Sequence, residues 1–196
     1  MARPLQDKEE VEVLSRADLR SWLENNHTRT NGIWLVHHKK LSGHYLPMGD
    51  IVAECLAFGW VDSLSRGKDD LRTMHWIAPR KHGSNWSAVN KRIVADLEAT
   101  NLMTEAGRNA INAAKADGSW SRLDSVERLE IPDDLANAFE KQPGSLSNWD
   151  AFPRSVKRGA LEILINAKQP STRVRKIEEI VSCSARNERP FQWRSE

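Results

Sequence analysis

Apolar residues recur with two different spacings in the first half of the chain, which predicts both helices and strands there. A helical spacing follows Ser15, and Asp18 stands where a capping box places an acceptor. Apolar runs bounded by Gly, Asn and Ser predict strands, and the turn at 67–70 joins two of them as a hairpin. In chain order, the predicted elements are a helix carrying Leu19, Trp22 and Leu23, a strand at 33–40, a helix from Gly49 to Gly59, and strands at 61–66 and 72–78.

The second half of the chain shows helical spacing alone, and Thr104 is predicted to cap one of its helices. Its apolar stripes run through Val89, Ile93 and Leu97, through Ala106, Ala110 and Ala113, through Val156, Ala160 and Leu164, and through Val174, Ile177 and Val181.

The predicted fold class is α+β. A small mixed helix and strand part at 1–100 contains a short antiparallel sheet, and 101–196 forms a helical bundle packed with it as one unit. The candidate binding block, residues 58–92, belongs to the first part.

Composition narrows the class of protein. The chain has 196 residues, of which 39% are hydrophobic and 29% charged, a balance typical of folded domains. It lacks the run of about 18 apolar residues that spans a membrane. The first ten residues carry no apolar secretory core, so we expect a cytoplasmic location. The net charge of +2 is too small to predict nucleic-acid binding by itself.

The candidate chemistry centres on the segment that follows the predicted hairpin. Arg80 and Lys81 leave a strand, Gly83 allows a turn, and Ser84 is predicted to cap the next helix, with Ser87 three residues later. A helix amino terminus attracts anions, so an anionic small molecule or phosphate group is the expected partner. The ordinary alternative is a helix cap beside solvated cations and core tryptophans. The predicted ligand-binding residues are Trp60, Asp62, Arg80, Lys81, Ser84, Trp86, Ser87 and Asn90. In the anion-binding hypothesis the two tryptophans form an apolar wall for the ligand.

A secondary basic patch lies near the carboxy terminus. Cations in the first turn of a helix oppose its dipole, so something should offset them. Glu179 stands four residues after Arg175 and is the favoured partner, and a nucleic-acid backbone is the alternative. The patch consists of Lys168, Thr172, Arg173, Arg175 and Lys176.

A third hypothesis is an enzyme that uses Asp62 and His75 as acid–base groups across the hairpin, provided that both side chains share one face of the sheet. His37 and His38 are adjacent in a predicted strand and so point to opposite faces, which argues against joint metal ligation. No metal site and no cofactor are expected.

Several motifs are distributed over most of the chain. They are Trp22–His27, Gly32–Val36, Glu54–Ser63, Pro79–Lys81, Ser84–Ser87, Ala113–Gly118, Ile131–Pro132 and Ala167–Lys168 with Thr172–Arg173. Together they are similar to those of the YdeI/OmpD-associated family, also called bacteriocin-protection proteins. The resemblance implies a bacterial or archaeal protein connected with resistance to bacteriocins and antimicrobial peptides, and it implies no catalytic residues. The leading hypothesis is therefore a non-enzymatic binding protein in stress or peptide resistance that recognises an anionic ligand, with its oligomeric state open.

Overall fold

The chain folds into two compact units, Met1–Trp120 and Ser121–Glu196, in a computed structural model that describes residues 8–191. The prediction about a secretory segment rests on the first ten residues, of which 1–7 lie outside the described part. The packing of the two parts as one unit stays a prediction. No helix among residues 8–191 has both the length and the apolar character needed to cross a membrane.

The first unit is built on a four-stranded sheet with the strand order β1-β2-β4-β3. The predicted hairpin is confirmed, since β3 and β4 pair antiparallel, and β4 also pairs antiparallel with β2. The edge strand β1 pairs parallel with β2 and was not predicted, because three residues are too few to show alternation. The strands are β1 (Glu10–Glu12), β2 (Ile33–His38), β3 (Trp60–Gly67) and β4 (Arg72–Pro79).

Helices cover one face of this sheet and enclose the larger core of the unit. Ser15 caps the first helix as predicted, because its side chain accepts the Asp18 N–H at 3.1 Å. Leu19 and Leu23 from this helix lie in one apolar cluster with Ile33, Leu35 and Ile77 of the sheet. The helices are α1 (Arg16–Asn26), α2 (Met48–Ala57), α3 (Ala88–Ala99) and α4 (Glu105–Ala116), with a short 3₁₀ helix at Lys40–Ser42.

Gly107 lets α4 approach the end of α2 closely. A Cβ atom at this position would lie 2.4 Å from the Ala57 carbonyl oxygen and 2.5 Å from the Met103 sulfur, so a larger residue does not fit. Thr104 caps α4 as predicted and also donates its hydroxyl to Ala57 O at 2.6 Å. This packing holds α4 beside the segment that follows β4, where the candidate site lies.

The second unit is helical throughout its described residues, which confirms the predicted fold class together with the sheet of the first unit. Its core contains Leu135, Trp149, Leu164 and Ile180. The helices are α5 (Asp124–Glu127), α6 (Asp133–Glu140), α7 (Ser145–Ala151), α8 (Arg154–Ile165) and α9 (Pro170–Ala185).

A buried carboxylate joins α1 to α2. Glu54 is 1% exposed, and it accepts from Arg16 Nε at 2.6 Å and from Arg20 Nη1 at 3.0 Å. Each of its oxygens therefore has a charged donor, which offsets the cost of removing the carboxylate from water.

Replacing Glu54 with Ala should lower the free energy of unfolding by about 3 kcal/mol, because two guanidinium groups lose the partner that holds them against the core. Urea denaturation measures the change. The matched control is Glu24→Ala, which removes an exposed partner of the same Arg20 and should cost less than about 1 kcal/mol. Equal losses in the two variants would show that Glu54 contributes no more than a surface pair.

Candidate functional site

The segment that follows β4, residues 80–87, forms a fixed loop that we call the Arg80 loop. Arg80 continues the strand for one more hydrogen bond, since its N–H donates to Gly59 O at 2.9 Å. The chain then turns at Gly83, whose φ of +71° favours glycine. The Gly83 N–H donates to Asp117 Oδ2 at 2.9 Å, so the loop is tied to the residue just after α4.

The side chain of Arg80 is half-buried, and part of its guanidinium is shielded from solvent. Its Cζ atom is 3.8 Å from the centre of the Trp86 ring, and its Nη2 donates to Asn85 O at 2.6 Å. The other two nitrogens, Nε and Nη1, are buried and have no hydrogen-bond partner. Burial lowers the pKa of Arg80 to about 10, although the charge of Asp62 opposes that shift.

Ser119 completes this environment and was missed by the sequence analysis. Its side chain is 0% exposed, and its hydroxyl has no partner. Arg80 and Ser119 line the same small cavity, together with Trp86, Asp117 and the alanines of α4. Ser119 is far from Arg80 along the chain, so no sequence spacing connects the two.

The helix cap differs from the prediction. Ser87 caps α3, since its side chain accepts the Asn90 N–H at 3.2 Å, whereas Ser84 lies outside the helix and donates its hydroxyl to Lys81 O. Ser84 as the cap was therefore wrong. A Ser residue is a good acceptor at either position, so local sequence alone does not choose between them.

The two predicted wall tryptophans have different positions. Trp60 is fully buried and donates its ring N–H to His27 O at 3.1 Å, so its ring is not available to a ligand. Trp86 is also buried, and it contacts Arg80 and the ring of Trp120, whose centre is 5.0 Å away. The wall interpretation of Trp60 is therefore wrong, and Trp86 supports the guanidinium.

Asp62 and His75 lie on the same face of the sheet. Asp62 is opposite Ile77 in the antiparallel register, and His75 is two residues before Ile77 on β4. His75 Nδ1 lies 2.8 Å from Nε2 of His37 on β2, a cross-strand contact that the sequence analysis did not anticipate. Burial lowers the pKa of both rings, and the charge of His75 adds to the effect on His37, whose pKa falls to about 4.

The basic patch of the second unit is largely paired within the fold. Arg173 contacts both oxygens of Asp134, at 2.5 and 2.9 Å. Glu179 pairs with Lys176 at 3.3 Å, rather than with Arg175 as expected. The helix α9 begins at Pro170, so Arg175 and Lys176 lie beyond its first turn and the dipole argument does not apply to them. Intramolecular pairing thus accounts for much of this charge, and nucleic-acid binding stays a prediction.

Metal ligation has no support in the described residues. Within 8–191, no group of three or more His, Cys, Asp and Glu side chains is arranged to hold a metal ion. Cys55 and Cys183 are free thiols, and burial raises the pKa of Cys55 above its ordinary range.

The geometry defines an α+β protein with a buried cation beside a fixed loop, and two family matches place it among known sequences. Residues 11–110, about half of the chain, match the model of a family described as a domain of unknown function (DUF8412). The chain belongs to this family. Residues 128–187 match the family described as Bacteriocin-protection, YdeI or OmpD-Associated, which confirms the resemblance for the carboxy-terminal unit. Comparisons with curated proteins and with solved structures give no significant match.

The two matches separate the features of interest. The Arg80 loop falls within the first matched region, and the basic patch falls within the second. The family connected by its description with bacteriocin protection therefore does not cover the loop.

Protonation of His37 should make the protein less stable in acid. A ring whose pKa is about 4 in the folded state, against about 6.5 when unfolded, contributes stability above pH 6.5 that is lost as the pH falls toward 4, by about 3 kcal/mol in total. The variant His37→Gln lacks this titration, so its free energy of unfolding should fall less over the same range. Urea denaturation at several pH values measures how the free energy of unfolding depends on pH in the wild type and in His37→Gln.

The control for this measurement is His44→Gln, since His44 is exposed. It should follow the wild-type pH dependence. An identical slope in His37→Gln and the wild type would show that His37 does not carry the acid sensitivity.

Proposed function

We propose that this protein is a non-enzymatic anion-binding protein, and that the Arg80 loop is its binding site. The observation that supports the proposal is the guanidinium of Arg80, in which two buried nitrogens, Nε and Nη1, have no hydrogen-bond partner. Donors of a charged group that are removed from water without a partner cost free energy, so an anion that accepts their hydrogen bonds would stabilise the fold.

Within residues 8–191, no carboxylate accepts a hydrogen bond from Nε or Nη1 of Arg80. Asp62 acts on Arg80 through its charge, but no hydrogen bond joins the two side chains. The oxygens of Asp117 accept the N–H groups of Gly83 and Ser119, at 2.9 and 2.8 Å. An anion that enters beside Arg80 would supply the missing charge and accept the unused donors.

The remaining residues of the loop have supporting roles in the proposal. Lys81 and His82 are exposed and line the same cavity, and Lys81 brings positive charge to its rim. Trp86 holds the guanidinium by stacking, and Ser87 and Asn90 fix the start of α3. A role in stress or antimicrobial-peptide resistance rests on the family description that matches residues 128–187, and not on the loop.

Acid–base catalysis by Asp62 and His75 is a second candidate. It is favoured by their common face on the sheet and by the contact between His75 and His37, which holds the imidazole of His75 in one orientation. A neutral imidazole with a lowered pKa is available as a base near neutral pH.

Anion binding should appear as thermal stabilisation that depends on Arg80. In sodium salts of chloride, phosphate and acetate at constant ionic strength, at least one anion should raise the Tm of the wild type relative to gluconate, a bulky reference anion. Arg80→Met should remove that increment, because it removes the charge and both free donors. Arg92→Met, which changes an exposed arginine on α3, is the matched control and should respond like the wild type.

General salt effects act on every variant, so the decisive quantity is the increment in the wild type minus the increment in Arg80→Met. A difference near zero for all three anions would contradict the proposal.

The second candidate predicts turnover of an activated ester or phosphoester, with p-nitrophenyl acetate and p-nitrophenyl phosphate as probes. His75→Gln and Asp62→Asn should each lower the rate at least tenfold. The Arg92→Met variant should keep the full rate. A rate in the wild type no higher than in His75→Gln would rule out this role.

A further inference from the structure

The cavity between the Arg80 loop and α4 is very small. Its volume is about 20 Å³, which is room for roughly one water-sized occupant. Its walls are formed by the Arg80 loop, by α4 and by the residues just after α4. The lining residues include Arg80, Gly83, Trp86, Ala114, Asp117 and Ser119.

Two lining residues supply three buried polar atoms without partners, namely Nε and Nη1 of Arg80 and Oγ of Ser119. A guanidinium can only donate hydrogen bonds, and the hydroxyl of Ser119 is free to donate as well. The best complement is therefore an occupant that accepts several hydrogen bonds and donates none. A water molecule accepts two hydrogen bonds but also needs acceptors for its own two hydrogens.

Charge points the same way. Burial lowers the pKa of Arg80 to about 10, so the guanidinium stays charged at neutral pH although it is poorly solvated. Asp117 also lines the cavity, and its carboxylate accepts the backbone N–H groups of Gly83 and Ser119. On the side of the cavity formed by Arg80 and Ser119, the positive charge and the unpartnered donors favour an occupant that is negative and accepts hydrogen bonds.

We propose that this cavity is a halide site, and that chloride is the anion held by Arg80 and Ser119. A halide ion is a single atom, accepts hydrogen bonds from all sides and carries the charge that the guanidinium lacks. Phosphate and carboxylate groups have several heavy atoms, of which a space of about 20 Å³ takes in only one. This inference rests on the proposed anion-binding function and narrows its ligand class.

The test is the dependence of Tm on the concentration of sodium chloride or sodium bromide, with sodium gluconate keeping the ionic strength constant. In the wild type and in Arg92→Met, Tm should rise and saturate with halide. Arg80→Met should show no saturable rise. Ser119→Ala removes one hydrogen bond to the ion and should raise the apparent Kd about tenfold.

Line broadening of the chloride-35 NMR signal gives a second measurement that needs no denaturation. The folded wild type should broaden the signal more than Ser119→Ala does at the same concentration. If Arg80→Met does not fold, Arg80→Lys replaces it. This substitution keeps the charge but removes the Nε donor, so it should also weaken the broadening.

The outcomes separate the two proposals. An Arg80-dependent rise in Tm with phosphate or acetate but not with halide overturns the halide site and leaves the anion-binding function in place. No Arg80-dependent rise with any anion overturns both. Equal chloride broadening by the wild type, Ser119→Ala and the Arg80 variant also overturns the halide site, because water is then the better occupant.

Discussion

The stacking of the half-buried Arg80 on the buried ring of Trp86 determines the arrangement at this end of the amino-terminal unit. The backbone of Arg80 is held to Gly59 by the last hydrogen bond of the sheet, and its side chain lies over the Trp86 ring at 3.8 Å. The residues between them must therefore turn back within a few positions, which they do at Gly83. In that turn the Gly83 N–H donates to the side chain of Asp117, which ties the end of α4 to the loop. The loop, the helix and the cavity thus depend on one contact.

The same contact leaves a charge that the fold does not fully neutralise. Cation–π stacking satisfies one face of the guanidinium, and Asn85 satisfies one nitrogen. The other two nitrogens, Nε and Nη1, are buried and have no hydrogen-bond partner. The buried Glu54 of the same unit differs, since each of its oxygens accepts from a charged donor. This contrast between Glu54 and Arg80 is the strongest physical reason to look for an external partner at Arg80.

Sequence reasoning predicted the features that depend on neighbouring residues. The caps at Ser15 and Thr104 and the hairpin at 67–70 are set by short-range hydrogen bonding, and all three are confirmed. The choice of cap between Ser84 and Ser87 failed because both residues can accept the same N–H group. The local sequence pattern predicted Arg80 as a site residue. It did not predict that two of the Arg80 nitrogens are buried, because α4, which is distant in sequence, packs beside them.

Other features were not predictable because they join distant parts of the chain. The contact between His37 and His75 requires the order and register of three strands, which alternation does not give. From the sequence, Trp60 could contact a ligand or belong to the core. Its complete burial in the structure shows that it belongs to the core. Lys176 and not Arg175 pairs with Glu179, since helical spacing brings both residues near it and sequence alone does not choose between them. No sequence pattern predicted Ser119 as a site residue, because a single serine has no motif and its place in the cavity depends on the fold.

The most direct measurement of anion binding at Arg80 is anomalous diffraction from crystals grown or soaked in sodium bromide, collected at the bromine absorption edge. Bromide is a single-atom anion with a strong anomalous signal, so its position can be read without ambiguity. If the cavity is a halide site, we expect an anomalous peak within hydrogen-bonding distance of Nε and Nη1 of Arg80 and of Oγ of Ser119. An ordered water at that position, with no anomalous peak there at saturating bromide, would contradict it.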